Sequence, residues 1–417
     1  MADARFASLD RLQTALVALV AAATTTLVQL ALLITIDLRA TDRGTSLRDV
    51  LTKWDAQWMM NIADRGYFGP PIDQSVAFFP GYPVLVRAVG APLAVFGVPD
   101  ATLTTAIGVS ALASLAAAVG LAFLALDIWS RLGRPITLAT LIVVPVAAGV
   151  IFSGAPMSII YWMPYSEATF TALAVWSLVA MIRHRYLTAG VLVLLAGVTR
   201  LTGVALVATL VVAALVQLIC WWRRRHESDT RFPWRAAVAP VIGGTGIAAY
   251  LTWASVQTAY FGGYFAVQDR GWNSEFDGGR ATMQWLRDTL GDGFVDPVTT
   301  GYTISSWAMV VVGVLLLASL WPLLRGWLPW QVWLTAVLLA VIVLGSDGVM
   351  HSRPRLLLLA TALLLLPFVV RAVHLAASMN GWRRWATSTA LVVAGAGWCA
   401  MGFWASAHML VDFRYGI

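Results

Sequence analysis

Eleven apolar stretches punctuate this chain, at roughly 15–37, 101–127, 136–153, 168–182, 187–199, 201–222, 236–257, 304–324, 329–346, 355–373 and 386–411. Few folds accommodate such a pattern. In lipid, each segment must satisfy its own backbone N–H and C=O groups, so runs of this length read as spanning helices. The chain is 59% hydrophobic and only 12% charged, with mean hydropathy +0.76 over 417 residues. Soluble domains carry about 25% charged residues. The expected class is therefore an all-α integral membrane protein, a polytopic bundle of these eleven spans. No internal repeat, low-complexity tract or soluble domain interrupts it, so residues 1–417 read as one domain.

The remaining composition excludes other classes. The two cysteines, Cys220 and Cys399, both lie in apolar segments and offer neither a disulfide framework nor a metal site. The formal charge of +7 is spread over loops rather than gathered on one face, which argues against nucleic acid. Lys53 is the sole lysine beside 27 arginines, an imprint of GC-rich coding rather than of function. With a cytoplasmic N-terminus, the inner segments carry 15 arginines, Arg5 to Arg384, and the outer side 13 basic residues (28 − 15). Acidic residues divide 5 inside and 16 outside. The inner arginines sit in short connections, where the positive-inside rule acts. This predicts a plasma-membrane protein whose long loops, 38–100 and 258–303, face outward. The first apolar run carries no cleavage pattern and reads as a retained span. Residues 84–98 read as a re-entrant or interfacial helix, and residues 281–290 (Met283, Trp285, Leu286, Leu290) as a short amphipathic one.

Polar chemistry concentrates in a few places. Residues 54–67 place Trp54, Trp58 and Ile62 at helical spacing, with Asp55 and Met59 on the other face and Gly66-Tyr67 as the stop. This predicts an interfacial helix. A carboxylate such as Asp55 at the bilayer edge is solvated, paired or retained for chemistry. It suits a general base taking a proton from a hydroxyl, and equally a first-turn acid favoured by the helix dipole. AFFPGYP, residues 77–83, reads as a turn with aromatic interface anchors, its bend set by Pro80 and Pro83. In PYSE, residues 164–167, Ser166 or Tyr165 caps a span and Glu167 favours its positive end, with substrate contact as the alternative. Arg200, between two apolar runs, needs an anion, either Glu167 or another acid, or a lipid phosphate. Asp347, His351, Arg353 and Arg355 gather in SDGVMHSRPR, residues 346–355. Fork-shaped donors of this kind suit a phosphate, although an ordinary charged loop also holds one or two.

Taken together, these segments resemble the PIG-V-type family, the GPI mannosyltransferase 2 enzymes that add the second mannose of the GPI anchor. The resemblance rests on Trp54-Asp55-Ala56, on Ile62-Ala63-Asp64-Arg65-Gly66-Tyr67 and on Ala77-Phe78-Phe79-Pro80-Gly81-Tyr82-Pro83, in that order and spacing. Pro164-Tyr165-Ser166-Glu167 resembles the family's P-Y-S-E segment. Thr199-Arg200-Leu201-Thr202-Gly203 resembles its T-R-S-N-G segment, departing at Leu201 and Thr202. Residues 352–360, SRPRLLLLA, fit the family's R-Y-L-L-P-like segment only loosely.

The resemblance implies a GT-C glycosyltransferase architecture. It also implies mannose transfer from polyprenyl-phosphate-mannose to an envelope glycolipid or lipoglycan acceptor outside the cytoplasm, with inversion. Asp55 would be the general base, with Arg200, His351, Arg353 and Arg355 on the donor phosphate and Trp54, Trp58, Tyr165 and Glu167 toward substrate. No metal or other cofactor is expected, and the arginine-rich composition points to an actinobacterial member. The competing class is a transporter or flippase for an envelope lipid or sugar. That class predicts charged or broken mid-membrane segments in matched halves, whereas the polar residues here collect in one-sided loops.

Overall fold

A computed structural model describes residues 9–68, 71–226 and 231–416. Arg5 and the loop residues Gly69 and Pro70 lie outside the described residues. Each of the eleven apolar stretches is helical. They are α1 (Arg11–Asp42), α4 (Ala101–Arg131), α5 (Leu138–Ser153), α6 (Glu167–Ile182), α7 (Tyr186–Gly197), α8 (Val204–Arg224), α9 (Trp234–Gln257), α12 (Pro297–Ala318), α13 (Trp330–Leu344), α14 (Leu358–Ser378) and α15 (Gly381–Ala407). Between them lie α2 (Asp55–Arg65), α3 (Gly81–Val95), α10 (Tyr264–Trp272) and α11 (Arg280–Thr289). Among the described residues there is no named strand, only an isolated bridge between Phe276 and Ser346.

By length and composition, seven helical segments among the described residues can cross a membrane. These are α1, α4, residues 201–224 including α8, α9, residues 297–324 including α12, α14, and residues 381–412 including α15. The protein is a multi-pass membrane protein. The other four apolar helices, α5, α6, α7 and α13, have 16, 16, 12 and 15 residues. At 1.5 Å per residue, α7 rises about 18 Å against a hydrocarbon core of about 30 Å.

The sequence reads as one domain, yet packing divides the chain into two compact units built from interleaved segments. The first comprises residues 1–54, 118–163 and 276–417. In it α1 packs on α5 and α15, and α14 on α5, α13 and α15. The buried Gln29 amide of α1 donates to the carbonyls of Ser153 and Ser158, both at 3.2 Å, and so holds the chain where α5 stops. Near residue 412, the buried Asp412 carboxylate pairs with Arg39 at 3.0 Å and Arg43 at 2.7 Å.

The second unit comprises residues 55–117 and 164–275. Its centre is α7, which packs on α6, α8 and α9. Small residues allow the close approach: a Cβ on Gly246 would stand 2.5 Å from the Leu194 carbonyl oxygen. Against this unit's aromatic core lie α2, α3 and α10.

Candidate active site

The helix expected over 54–67 runs from Asp55 to Arg65. Trp54 precedes it with φ +53, and Gly66 ends it with φ +72. A left-handed tryptophan is strained, and such strain collects at functional sites. Asp55 occupies the first turn, half-buried. One expectation fails here. Met59 does not lie on the face opposite Ile62; it is buried with Ala56, Ile62 and Ala63. Three residues apart, Met59 and Ile62 differ by only about 60° around a helix, so they fall on one stripe.

Trp58, one turn beyond Asp55, stacks on Phe78 with ring centroids 5.6 Å apart at 13°. The aromatic residues of AFFPGYP are thus not interface anchors. Phe78, Phe79 and Tyr82 are all buried. Tyr67 donates its hydroxyl proton to the Phe78 carbonyl at 2.5 Å, and Tyr250 donates to the Val76 carbonyl at 2.8 Å. Phe79 lies 4.2 Å from the Tyr250 ring. Burial raises the Tyr67 hydroxyl pKa well above its ordinary value, so it stays a donor.

The same turn meets the arginine segment. Gly81 donates its N–H to the Val198 carbonyl at 2.7 Å. A Cβ at Gly81 would sit 2.6 Å from Thr199 Oγ1 and 2.9 Å from Val198 O, so only glycine permits the approach. Two residues on, Arg200 Nη1 lies 2.8 Å from Glu167 Oε2 and 2.8 Å from Ser166 Oγ. Of the two partners left open, the protein carboxylate is therefore engaged. Ser166 holds the N-cap position of α6 but makes no capping bond; its hydroxyl accepts from Arg200. Tyr165 is fully buried, so it belongs to packing rather than to an open substrate surface. Asp55, Trp58, Glu167 and Arg200 all belong to the second unit.

The first unit holds the other expected residues. Trp54 lies against Gly416, whose Cβ would stand 3.2 Å from Trp54 Cδ1. Lys53 Nζ sits 5.4 Å from the Trp54 ring centroid and donates to the Leu410 carbonyl at 2.8 Å. Arg353 departs from the phosphate role. It is buried, and its guanidinium donates to the carbonyls of Val343, Ser346 and Asp347 and to Thr282 Oγ1. Those donors staple the 343–347 turn, and burial lowers its pKa to about 10. His351 lies among Tyr302, Phe413 and Tyr415, with centroids 6.3, 5.2 and 5.8 Å away. Burial first, then the Arg355 charge, depress its pKa, while a bond to the Gly416 backbone opposes them. His351 is thereby favoured neutral, a hydrogen-bonding group rather than a cation. Arg355 is half-buried.

Sequence reasoning passed over several residues. Tyr67 and Gly81 lay inside the motifs, and their roles follow from the partners they reach. Tyr250, Tyr302, Phe413 and Tyr415 carry no local signal, since Tyr250 lies 183 positions from Tyr67. Among the described residues, no three His, Cys, Asp or Glu side chains gather as a metal site.

A first-turn carboxylate, a buried aromatic turn and a buried Arg–Glu pair thus come from separate motif segments of one apolar, multi-helix chain. A family model described as Mannosyltransferase (PIG-V) matches residues 12–230, and the chain belongs to that family. No curated protein matches it. Among solved structures, ArnT from Cupriavidus metallidurans, bound to undecaprenyl phosphate, matches with TM-score 0.49 at 14% identity. That match covers 93% of this chain and 76% of the other.

Proposed function

We propose that this glycosyltransferase moves mannose from polyprenyl-phosphate-mannose to a glycolipid or lipoglycan acceptor on the extracytoplasmic face, with inversion and with Asp55 as general base. One observation carries the reading. In a single unit, α2 is joined through Trp58 and Phe78 to the AFFPGYP turn, and Gly81 joins that turn to the Arg200–Glu167 pair. The AFFPGYP, PYSE and TRLTG segments are thus linked, one through another, to the helix that begins with Asp55. A carboxylate held on a short, packed helix is a positioned base.

In the proposed step, Asp55 takes the proton from the acceptor hydroxyl as its oxygen attacks the anomeric carbon. The bond from that carbon to the phosphate oxygen breaks, and the electron pair leaves on the polyprenyl phosphate. Attack opposite the leaving group inverts the centre, β to α. Developing phosphate charge is where preorganised donors contribute most, commonly a few kcal/mol. Arg200, beyond its bonds to Glu167 and Ser166, and Arg355 are the cations proposed for that role. His351 is proposed as a neutral donor, and Arg353 is assigned to the turn it staples. Among the residues read toward substrate, Trp58 keeps that role, Glu167 acts through Arg200, and Trp54 and Tyr165 are assigned to packing. The GT-C architecture and a requirement for no metal belong to the same proposal.

The test is Asp55→Asn, which preserves shape and removes the base. Purified protein is incubated with polyprenyl-phosphate-mannose and envelope glycolipids, and products are read by mass spectrometry. Transfer falls by at least about 10²-fold in the variant, the scale of a lost general base, while folded yield is retained. Wild-type turnover by Asp55→Asn would reject the assignment.

A further inference from the structure

The outer loop 258–303 folds in part as α10, and one face of this helix has no role in the chemistry above. Gln268 and Trp272 are four residues apart, so their side chains lie on the same face. The Gln268 Nε2 amide and the Trp272 Nε1 indole N–H are both buried, and neither finds an acceptor among the described residues. Indole is donor-only, so this N–H calls for an acceptor that the described residues do not supply. Leaving two such donors unmet in a packed region is costly.

Their surroundings say what would meet them. The Trp272 ring stands edge-on to Phe78, with centroids 5.7 Å apart at 88°. Phe78 stacks on Trp58, and Trp58 follows Asp55 by three residues on the same side of α2. Trp58 and Trp272 are both only partly buried. Aromatic surface interrupted by a few directed donors is the make-up of a small-molecule site. A pyranose suits both parts, because its C–H faces lie on rings while its hydroxyl oxygens accept from N–H groups.

We infer that the Gln268–Trp272 face of α10, together with Trp58, is a hexopyranoside-binding subsite beside the Asp55 helix, with Phe78 packed behind the two tryptophans. The inference rests on the mannosyl-transfer reading only for the identity of the sugar. The occupant is a mannose ring, supplied either by the donor or by the acceptor.

The test is a binding measurement and needs no turnover. Octyl α-D-mannopyranoside is titrated against the purified full-length protein in nanodiscs and followed by saturation-transfer NMR. Wild-type protein binds it. Trp272→Phe, which keeps the ring and loses the N–H, and Gln268→Leu each weaken binding about 3- to 10-fold, the scale of one neutral hydrogen bond. Displacement by polyprenyl-phosphate-mannose assigns the subsite to the donor sugar, and its absence assigns it to the acceptor. No binding by wild-type protein, or equal binding by all three, overturns the inference. Failure of the base assignment shows in the turnover of Asp55→Asn, whereas failure of the subsite shows in mannoside binding by Trp272→Phe and Gln268→Leu.

Discussion

The Glu167–Arg200 pair shows how much a single contact can carry. Glu167 is 6% exposed, and its partner comes from 33 residues further along the chain. Removing one member strips the other buried charge of its ion-pair partner, a change that costs about 3–5 kcal/mol. Glu167→Gln and Arg200→Gln should each lower the unfolding midpoint strongly. The double variant should recover part of the loss, because no uncompensated charge remains. Thermal unfolding of the three purified variants checks this, and additive losses would mean that the two side chains act independently. His351 makes a pH prediction. Its folded-state pKa is depressed, so the unfolded chain binds the proton more readily. The stability this contributes is complete above the unfolded pKa of about 6.5 and is lost as pH falls through the folded value. Unfolding midpoints between pH 8 and pH 5 should therefore fall more steeply for wild type than for His351→Gln.

Elements carry the next level of organisation. The AFFPGYP turn works because Gly81 lets one backbone touch another, in contact with Val198 and Thr199 at the end of α7. Gly81→Ala inserts a methyl where the nearest atoms are a carbonyl oxygen and a hydroxyl. Overpacking of this kind costs about 1–3 kcal/mol, and it pushes the turn away from the segment that holds Arg200. The expected result is a lower unfolding midpoint together with reduced turnover, since both depend on one contact. Full turnover with only a stability loss would separate the turn from the site. At this level the motif spacing was informative. The start and stop of α2 and the helix near 281–290 were legible from period and glycine placement. The faces of α2 were not, because Trp58 is half-exposed while Met59 is buried.

At the level of the whole chain, topology depends on parity. Six helices, α4 to α9, separate the loops 38–100 and 258–303, so the two loops share a face only if an even number of the six cross. Three of the six, α5, α6 and α7, are short. In a Cys220→Ser, Cys399→Ser background, Gln74→Cys and Asp288→Cys should react with an impermeant maleimide on intact cells. His226→Cys should react only after permeabilisation. Labelling of just one loop position would mean that an odd number of the short helices fails to cross.

Hydropathy and period depend on neighbours in sequence, so the eleven helices, the loop helix at Asp55 and the residues worth suspecting could all be read from the chain alone. Pairing does not depend on neighbours in sequence. Arg200 chose Glu167, Arg353 turned inward to three carbonyls, and Tyr250 reached Tyr67 only once the helix faces had met. The division into two interleaved units is equally invisible in one dimension, because each unit is assembled from segments far apart along the chain. Which buried charge finds which partner is settled by packing, where the desolvation penalty admits only arrangements that satisfy both.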